Sequence, residues 1–186
     1  MNGMNTFRVI LILGALLCVR SVMADVNTED SWVREIRVGF AAHDVPELWS
    51  GTEREYGTDY LFELVFASPF AVHPLLGMHT YVGFTANHQG FTSKIYTGFS
   101  LRLMLYNRVY AEAGLGLAVH DGEIRSDLED RKDLGSRILF RVPLEIGFII
   151  SRSTSISFYF DHISNANTAK PNYGMDLVGF RVGYRL

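Results

Sequence analysis

The feature that most constrains this chain is an alternation of apolar and polar residues that recurs along almost its whole length. A β-strand points successive side chains to opposite faces, whereas a helix repeats its apolar face about every 3.6 residues. The pattern therefore predicts an all-β protein of eight strands, most of them near the roughly 9–11 residues that cross a bilayer when tilted. The predicted strands are residues 32–42, 58–67, 75–87, 94–105, 109–119, 137–150, 155–164 and 176–186.

The two faces of these strands favour a membrane barrel over a soluble periplasmic β-domain. In residues 137–150 every even-numbered position is apolar, while the odd-numbered positions include Arg141 and Glu145. Glycines and charges of both signs beside one another suit the crowded interior of an eight-stranded barrel whose outside meets lipid. We predict an antiparallel transmembrane β-barrel of the outer membrane of a Gram-negative cell. The expected interior residues include Glu35, Arg37, Glu63, His79, Arg102, Glu112, Arg141, Glu145, Arg181 and Arg185.

The N-terminus carries the pattern of an export signal. Arg8 precedes the apolar run VILILGALLCV, and Val22-Met23-Ala24 fits the small-x-small pattern of a cleavage site. Because a spanning helix needs about 20 apolar residues, this shorter run predicts a cleaved signal rather than a membrane anchor. Residues 1–24 are thus expected to be the signal peptide, and residues 25–186 the barrel.

Cysteine content and charge exclude several classes of function. The single cysteine, Cys18, lies inside the export signal, which leaves the mature chain without a disulfide framework or a thiolate metal site. Of the 17 Lys and Arg residues, Arg8 and Arg20 also lie in the signal, so 15 basic residues face 20 acidic ones. This negative balance argues against nucleic acid as a partner. No pair of histidines has the spacing of metal ligands.

The connections between the predicted strands indicate how the barrel is oriented. Short links such as residues 106–108 and 151–154 alternate with longer polar loops, including residues 43–57 and 120–136. Outer-membrane barrels have short turns on the periplasmic side and long loops outside the cell. The loop that follows residues 155–164 is therefore expected outside the cell.

A His, a Ser and an Asp interrupt the apolar face near the C-terminus. His162 and Ser164 share the parity of the apolar residues of their strand, and Asp176 shares the parity of those in the next strand. We therefore expect the three side chains to cluster at the external rim and to face the outer leaflet. A hydroxyl, an imidazole and a carboxylate are the groups that nucleophilic acyl transfer requires. Polar residues are also common at barrel rims, so spacing alone leaves both interpretations open. Of the remaining histidines, His43 and His120 are expected in loops or at the rim, His79 in the interior, and His73 and His88 in connections.

The residues around this grouping resemble a known family. His162-Ile163-Ser164-Asn165-Ala166, followed by Pro171-Asn172-Tyr173-Gly174-Met175-Asp176, is similar to the H-x-S-N-A and P-N-x-G-x-E signature of the lipid A 3-O-deacylase (PagL) family. Members of that family are eight-stranded barrels of the outer membrane. The matching spacing covers residues 162–176, and the length, export signal and strand number fit over the rest of the chain.

The resemblance implies a role for each residue of the motif. Ser164 corresponds to the nucleophile, His162 to the general base, and Asp176 to the acid, which is Glu in the family. Asn165 and the backbone N–H groups that follow it resemble the oxyanion-stabilising elements, and Asn167 stands where the family often has Gly. The implied reaction removes the 3-hydroxyacyl chain from position 3 of lipid A in lipopolysaccharide, with no cofactor.

Two other functions remain open at the level of the sequence. One is a non-enzymatic barrel that stabilises the membrane or binds ligands through residues 43–57 and 120–136. The other is a phospholipase or an acyltransferase built on a similar barrel. The sequence also leaves open whether the protein forms a homodimer.

Overall fold

The computed structural model describes residues 32–66, 71–73 and 76–186, which form nine β-strands. The strands are β1 (Val33–Ala42), β2 (Thr58–Phe66), β3 (Ala71–His73), β4 (Leu76–Asn87), β5 (Lys94–Tyr106), β6 (Val109–His120), β7 (Ile138–Ile149), β8 (Thr154–Ser164) and β9 (Met175–Arg185). Eight of them match the predicted strands to within one residue at each end. The short strand β3 was not predicted. The predicted signal peptide lies outside the described residues.

The eight long strands close into an antiparallel barrel. Each pairs with its neighbours along the chain, β2 pairs directly with β4, and β1 pairs with β9 to complete the ring. The short β3 lies against the end of β4. The predicted eight-stranded antiparallel barrel is confirmed. Within the part of the chain that the structure describes, no helix is long and apolar enough to cross a membrane.

The alternation places apolar side chains outside and charged ones inside, as predicted. On β7, Phe140, Leu144 and Ile146 are exposed, whereas Arg141 and Glu145 between them are buried. Strand pairing satisfies the backbone, so the only groups that meet lipid are the outward side chains. The barrel has two distinct ends. The turn end carries the short links at residues 107–108 and 150–153, and the loop end carries the loops 43–57, 88–93, 121–137 and 165–174.

Paired charges fill the half of the barrel nearest the turn end. Arg37 contacts Glu35 at 2.7 Å, Glu63 at 2.9 Å and Glu112 at 3.0 Å. Arg102 contacts Glu112 at 2.7 Å and Glu35 at 3.1 Å. A buried ion keeps its charge only when it is paired and hydrogen-bonded. The network therefore explains how strands rich in charged residues can bury those charges inside the barrel.

Towards the loop end, buried apolar side chains join the buried charges. In the middle, Arg141 and Lys94 pair with Asp161 at 2.8 and 2.9 Å, and the Arg141 guanidinium lies 3.7 Å from the centre of the Tyr96 ring. A buried apolar cluster then closes the barrel beneath the loops. It contains Ala41, Leu61, Ala118, Leu134, Leu139, Ile163, Met175 and Leu177. This apolar layer lies directly beneath the groups at the loop end.

Candidate active site at the loop end

The pairing of β8 with β9 brings the three residues of the C-terminal motif together. His162 lies directly opposite Asp176 in the antiparallel register. Ser164 follows two residues after His162 and therefore projects from the same face of β8. Directly paired residues have Cβ atoms about 4.5–5.5 Å apart, so the short side chain of an aspartate suffices to reach the imidazole.

The three side chains form a continuous chain of hydrogen bonds. His162 Nδ1 lies 2.7 Å from Asp176 Oδ1, and His162 Nε2 lies 3.1 Å from Ser164 Oγ. The carboxylate thus fixes the tautomer in which Nδ1 donates and Nε2 is free to accept the hydroxyl proton. This arrangement can transfer a proton from Ser164 to His162 while the hydroxyl oxygen attacks an electrophile.

The grouping is more deeply covered than the sequence suggested. Ser164 is half-buried, but His162 is largely buried and Asp176 is fully buried. Asp176 keeps the predicted parity, but it is covered rather than exposed at the rim. The reason is that loop 43–57 folds across the outer face of β8 and β9, which strand parity alone does not reveal.

Two neighbouring residues of that loop make the contacts. Ser50 donates to Asp176 Oδ2 through both its backbone N–H, at 2.6 Å, and its hydroxyl, at 2.9 Å. Trp49 stacks on the His162 ring, with ring centres 4.6 Å apart, and also lies against Phe160. Sequence reasoning identified neither residue, since nothing in the local pattern of the loop points to a strand more than a hundred residues away.

The turn that follows Ser164 is tightly defined. Ala166 and Asn167 both have positive φ, at 51° and 63°, and Thr168 N–H bonds back to Asn165 O at 3.0 Å, which together make a type I′ turn. Asn tolerates this left-handed conformation better than most residues. Asn167 thus adopts here a backbone conformation that glycine would also allow. Within the described residues, the N–H groups of Ala166 and Asn167 hold no hydrogen bond.

Asn165 braces this turn against its surroundings. Its side-chain NH₂ donates to Leu134 O at 3.0 Å and Pro171 O at 2.9 Å, so both amide hydrogens are used in structural contacts. Asn172 completes the brace, because its Oδ1 accepts from Asn165 N–H at 3.0 Å and its Nδ2 donates to Asn167 Oδ1 at 3.1 Å. Asn172 lies in the motif but was not singled out from the sequence.

A buried polar cluster anchors loop 43–57 to the barrel. His43 lies between Asp59, 2.8 Å from Nδ1, and Glu55, 3.0 Å from Nε2. Lys132 from loop 121–137 is fully buried and pairs with Asp44. The sequence placed His43 in a loop or at the rim, whereas the structure buries it in the core of this cluster. The described residues contain no group of His, Cys, Asp or Glu side chains that could hold a metal ion.

The environment of this cluster shifts the pKa of both the imidazole and its partner. Burial disfavours the charged imidazole, but the hydrogen bonds with Asp59 and Glu55 outweigh burial and raise the pKa of His43 to about 9. Burial acts to raise the pKa of Glu55, yet the hydrogen bonds from His43 and from the backbone N–H groups of Thr92 and Lys132 lower it to about 2. The cluster is thus a charged pair at neutral pH.

The fold and this grouping define the class of protein: a small membrane β-barrel that presents a Ser, a His and an Asp at its loop end. A family model described as lipid A 3-O-deacylase (PagL) matches residues 54–185. The chain belongs to this family, and it is an outer-membrane β-barrel.

Individual relatives agree with this assignment. Lipid A deacylase PagL of Bordetella bronchiseptica is 33% identical over 78 residues, and the match covers 42% of this chain and 42% of that relative. The matched stretch is therefore less than half of that protein. The crystal structure of the outer membrane enzyme PagL superposes with a TM-score of 0.63 at 18% identity, covering 82% of this chain and 99% of that one.

Other small barrels share the architecture. The crystal structure of Neisserial surface protein A superposes with a TM-score of 0.51 at 9% identity, covering 82% of this chain and 96% of that one. At such identities the structural likenesses establish the fold alone.

Proposed function

We propose that this protein is a serine esterase of the outer membrane that removes the 3-hydroxyacyl chain from position 3 of lipid A in lipopolysaccharide. The observation that carries the proposal is the hydrogen-bonded chain Ser164–His162–Asp176 in a member of the PagL family. The site lies where the apolar wall of the barrel meets the loops, which is the depth of an ester bond between headgroup and hydrocarbon.

The first half of the reaction acylates the enzyme. Ser164 Oγ attacks the ester carbonyl while His162 Nε2 takes the hydroxyl proton, and Asp176 stabilises the imidazolium that forms. The tetrahedral intermediate then collapses, the sugar oxygen of lipid A leaves with the proton from His162, and the acyl chain stays on Ser164.

The second half releases the fatty acid. Water attacks the acyl carbonyl while His162 takes its proton, and the bond to Ser164 Oγ breaks as His162 returns that proton to Oγ. The 3-hydroxy fatty acid departs and loses its acidic proton to water. The donors for the oxyanion are the backbone N–H groups of Ala166 and Asn167, since Asn165 spends its amide hydrogens on Leu134 and Pro171. The reaction requires no cofactor or metal. It also needs no homodimer, because one chain supplies every group.

Mass spectrometry of lipid A from cells with and without the protein tests the proposal directly. We expect loss of one 3-hydroxyacyl chain from position 3 when the protein is present. Ser164→Ala should abolish this loss. The variant should still fold, because removing a half-buried hydroxyl changes the free energy of unfolding by about 0.5 kcal/mol or less.

Two outcomes would contradict the proposal. Normal turnover of lipid A by purified Ser164→Ala would exclude Ser164 as the nucleophile. Unchanged lipid A together with hydrolysis of phospholipid, or transfer of its acyl chain, would favour the phospholipase or acyltransferase alternative. An unheated gel sample that migrates as a folded barrel provides the control for folding of each variant.

A further inference from the structure

The two oxygens of Asp176 have different partners. Oδ1 accepts from His162 at 2.7 Å, while Oδ2 accepts two hydrogen bonds from Ser50, one from its N–H at 2.6 Å and one from its hydroxyl at 2.9 Å. Asp176 is fully buried, so no solvent competes for either oxygen. The carboxylate is therefore held at both ends by protein groups.

This arrangement limits the rotation of the carboxylate. The terminal torsion of an aspartate is broad and roughly two-fold, so the side chain does not fix by itself the plane in which its oxygens lie. A hydrogen bond to Oδ1 alone leaves that plane free to tilt about the contact with His162. The donors of Ser50 remove this freedom, because Oδ2 must stay within reach of both of them.

Ser50 is itself held on a braced loop. Val45 N–H donates to Asp176 O at 2.9 Å, and Glu47 N–H donates to Gly51 O at 2.7 Å across the segment that carries Ser50. Lys132 Nζ donates to Thr52 O at 2.5 Å. A Cβ at Gly174 would lie 3.3 Å from Ser50 Cβ, so the glycine leaves room for Ser50 to approach.

We propose that Ser50 is a positioning residue for the deacylation reaction, acting by fixing the Asp176 carboxylate against His162. This inference rests on the proposed function. Ser50 does not itself take part in the chemical step. Its two hydrogen bonds, which come from a distant part of the chain, hold the Asp176 carboxylate in the orientation in which it accepts from His162.

The test compares Ser50→Ala, Ser50→Thr and the control Thr52→Ala for deacylation of purified lipid A in one detergent. Ser50→Ala removes the hydroxyl donor but keeps the backbone one. A hydrogen bond to a charged acceptor accounts for about tenfold in rate, so we expect kcat to fall about tenfold with KM unchanged. Ser50→Thr keeps the hydroxyl and should retain most of the activity. Thr52 is exposed in the same loop, and Thr52→Ala should behave like the unmodified protein.

A double-mutant cycle separates positioning from a general structural role. In the Asp176→Asn background, where the charged acceptor is gone, Ser50→Ala should change the residual rate by less than about twofold. An equal loss in both backgrounds would show that Ser50 acts independently of Asp176 and would overturn the inference. A rise in KM with unchanged kcat would do the same, since it would indicate a contact with substrate.

The outcomes also distinguish this inference from the proposed function. If Ser164→Ala is inactive and Ser50→Ala is fully active, the positioning role is wrong and the esterase remains. If Ser164→Ala is active, the esterase mechanism fails, and the role of Ser50 fails with it.

Discussion

The contacts of Asp176 depend on the residue paired with it across the strands and on the loop residue that covers it. The family signature has a glutamate at this place, whereas this chain has an aspartate, which is one methylene shorter. Asp176 reaches His162 because the two residues are directly paired across β8 and β9. The remaining oxygen is satisfied by Ser50, so the shorter acid leaves no unpaired buried oxygen.

The first prediction at this scale concerns the charge and length of the acid. Asp176→Asn should be nearly inactive, because loss of the charge and of the correct imidazole tautomer costs about 10⁴-fold in turnover in triads of this kind. Asp176→Glu keeps the charge but must fit an extra methylene into a buried site, so an intermediate rate is expected. Deacylation rates of both variants in the same detergent provide the measurement. Equal, normal rates for Asn and Glu would show that another group orients His162.

A second prediction concerns Gly174, which precedes β9. A Cβ at this position would lie 2.8 Å from His162 Cε1, which is closer than real Cβ contacts, and 3.0 Å from Ile163 O, which is tighter than most of them. Gly174→Ala should therefore displace the imidazole and reduce kcat by at least about tenfold, since small misplacements of catalytic groups are costly. The barrel should still form, because the site lies at the loop end.

The measurement for Gly174→Ala is the deacylation rate, with the unheated gel band as the check on folding. A matched comparison is Thr52→Ala, which removes only an exposed side chain from loop 43–57 and should leave the rate unchanged. Normal activity of Gly174→Ala would mean that the imidazole has room to adjust.

At the scale of elements, loop 43–57 behaves as part of the site rather than as a simple connection. Its beginning is anchored by His43 between Glu55 and Asp59, and its tip carries Trp49 and Ser50 onto the motif. Loop 121–137 supports it through the buried Lys132. If loop 43–57 loses its folded conformation, the contacts that Trp49 and Ser50 make with the site are therefore lost as well.

This link predicts a loss of activity at alkaline pH. The pKa of His43 is raised to about 9 from its ordinary value of 6.5, so its charged form stabilises the folded loop. That contribution is fully present below about pH 6.5 and is lost as the pH rises through about 9. The lowered pKa of Glu55 acts at the other extreme, since its contribution is present above about pH 4.5 and lost only near pH 2.

The measurement is limited proteolysis by trypsin at Arg54, together with the deacylation rate, between pH 7 and pH 10. We expect cleavage to increase and activity to fall reversibly around pH 9. His43→Gln cannot become charged, so its loop should be cleaved readily at pH 7 and should change little up to pH 10. A loop that stays protected in both proteins at pH 10 would contradict the assigned role of His43.

At the scale of the whole molecule, the interior charges connect strands that are distant from one another around the barrel. The single side chain of Arg37 contacts Glu35, Glu63 and Glu112, which belong to three different strands. Such a residue links β1, β2 and β6 across the lumen. Removing it would leave several buried carboxylates without their cation.

We therefore predict that Arg37→Met lowers the free energy of unfolding by about 3–5 kcal/mol, the cost of breaking a buried ion pair from one side. The control is Leu115→Met on the lipid-facing side of β6, which should cost less than about 1.5 kcal/mol. Urea titration in detergent micelles, followed by the folded band of unheated gel samples, measures both. Similar midpoints for the two variants would show that the remaining network compensates for the loss of Arg37.

The alternation of the sequence determined by itself the strands, their inward and outward faces and the shared face of His162 and Ser164. These features are local, because successive side chains of a strand point to opposite faces. A shift of the strand register by one residue would turn every interior charge towards lipid. The sequence also predicted that Asp176 lies beside His162 and Ser164, because it shares the parity of the apolar residues of its strand and belongs to the motif. Only the short β3 and the exact strand ends escaped this reasoning.

The tertiary structure decided everything that loop 43–57 contributes. Ser50 and Asp176 are 126 positions apart, and no periodicity in loop 43–57 indicates that they meet. The burial of Asp176, the stacking of Trp49 on His162 and the charged environment of His43 all depend on how that loop folds back over the barrel. Loops lack the repeating pattern that assigns each strand residue to a face, so their contacts are set by distant partners that become neighbours only once the barrel has closed.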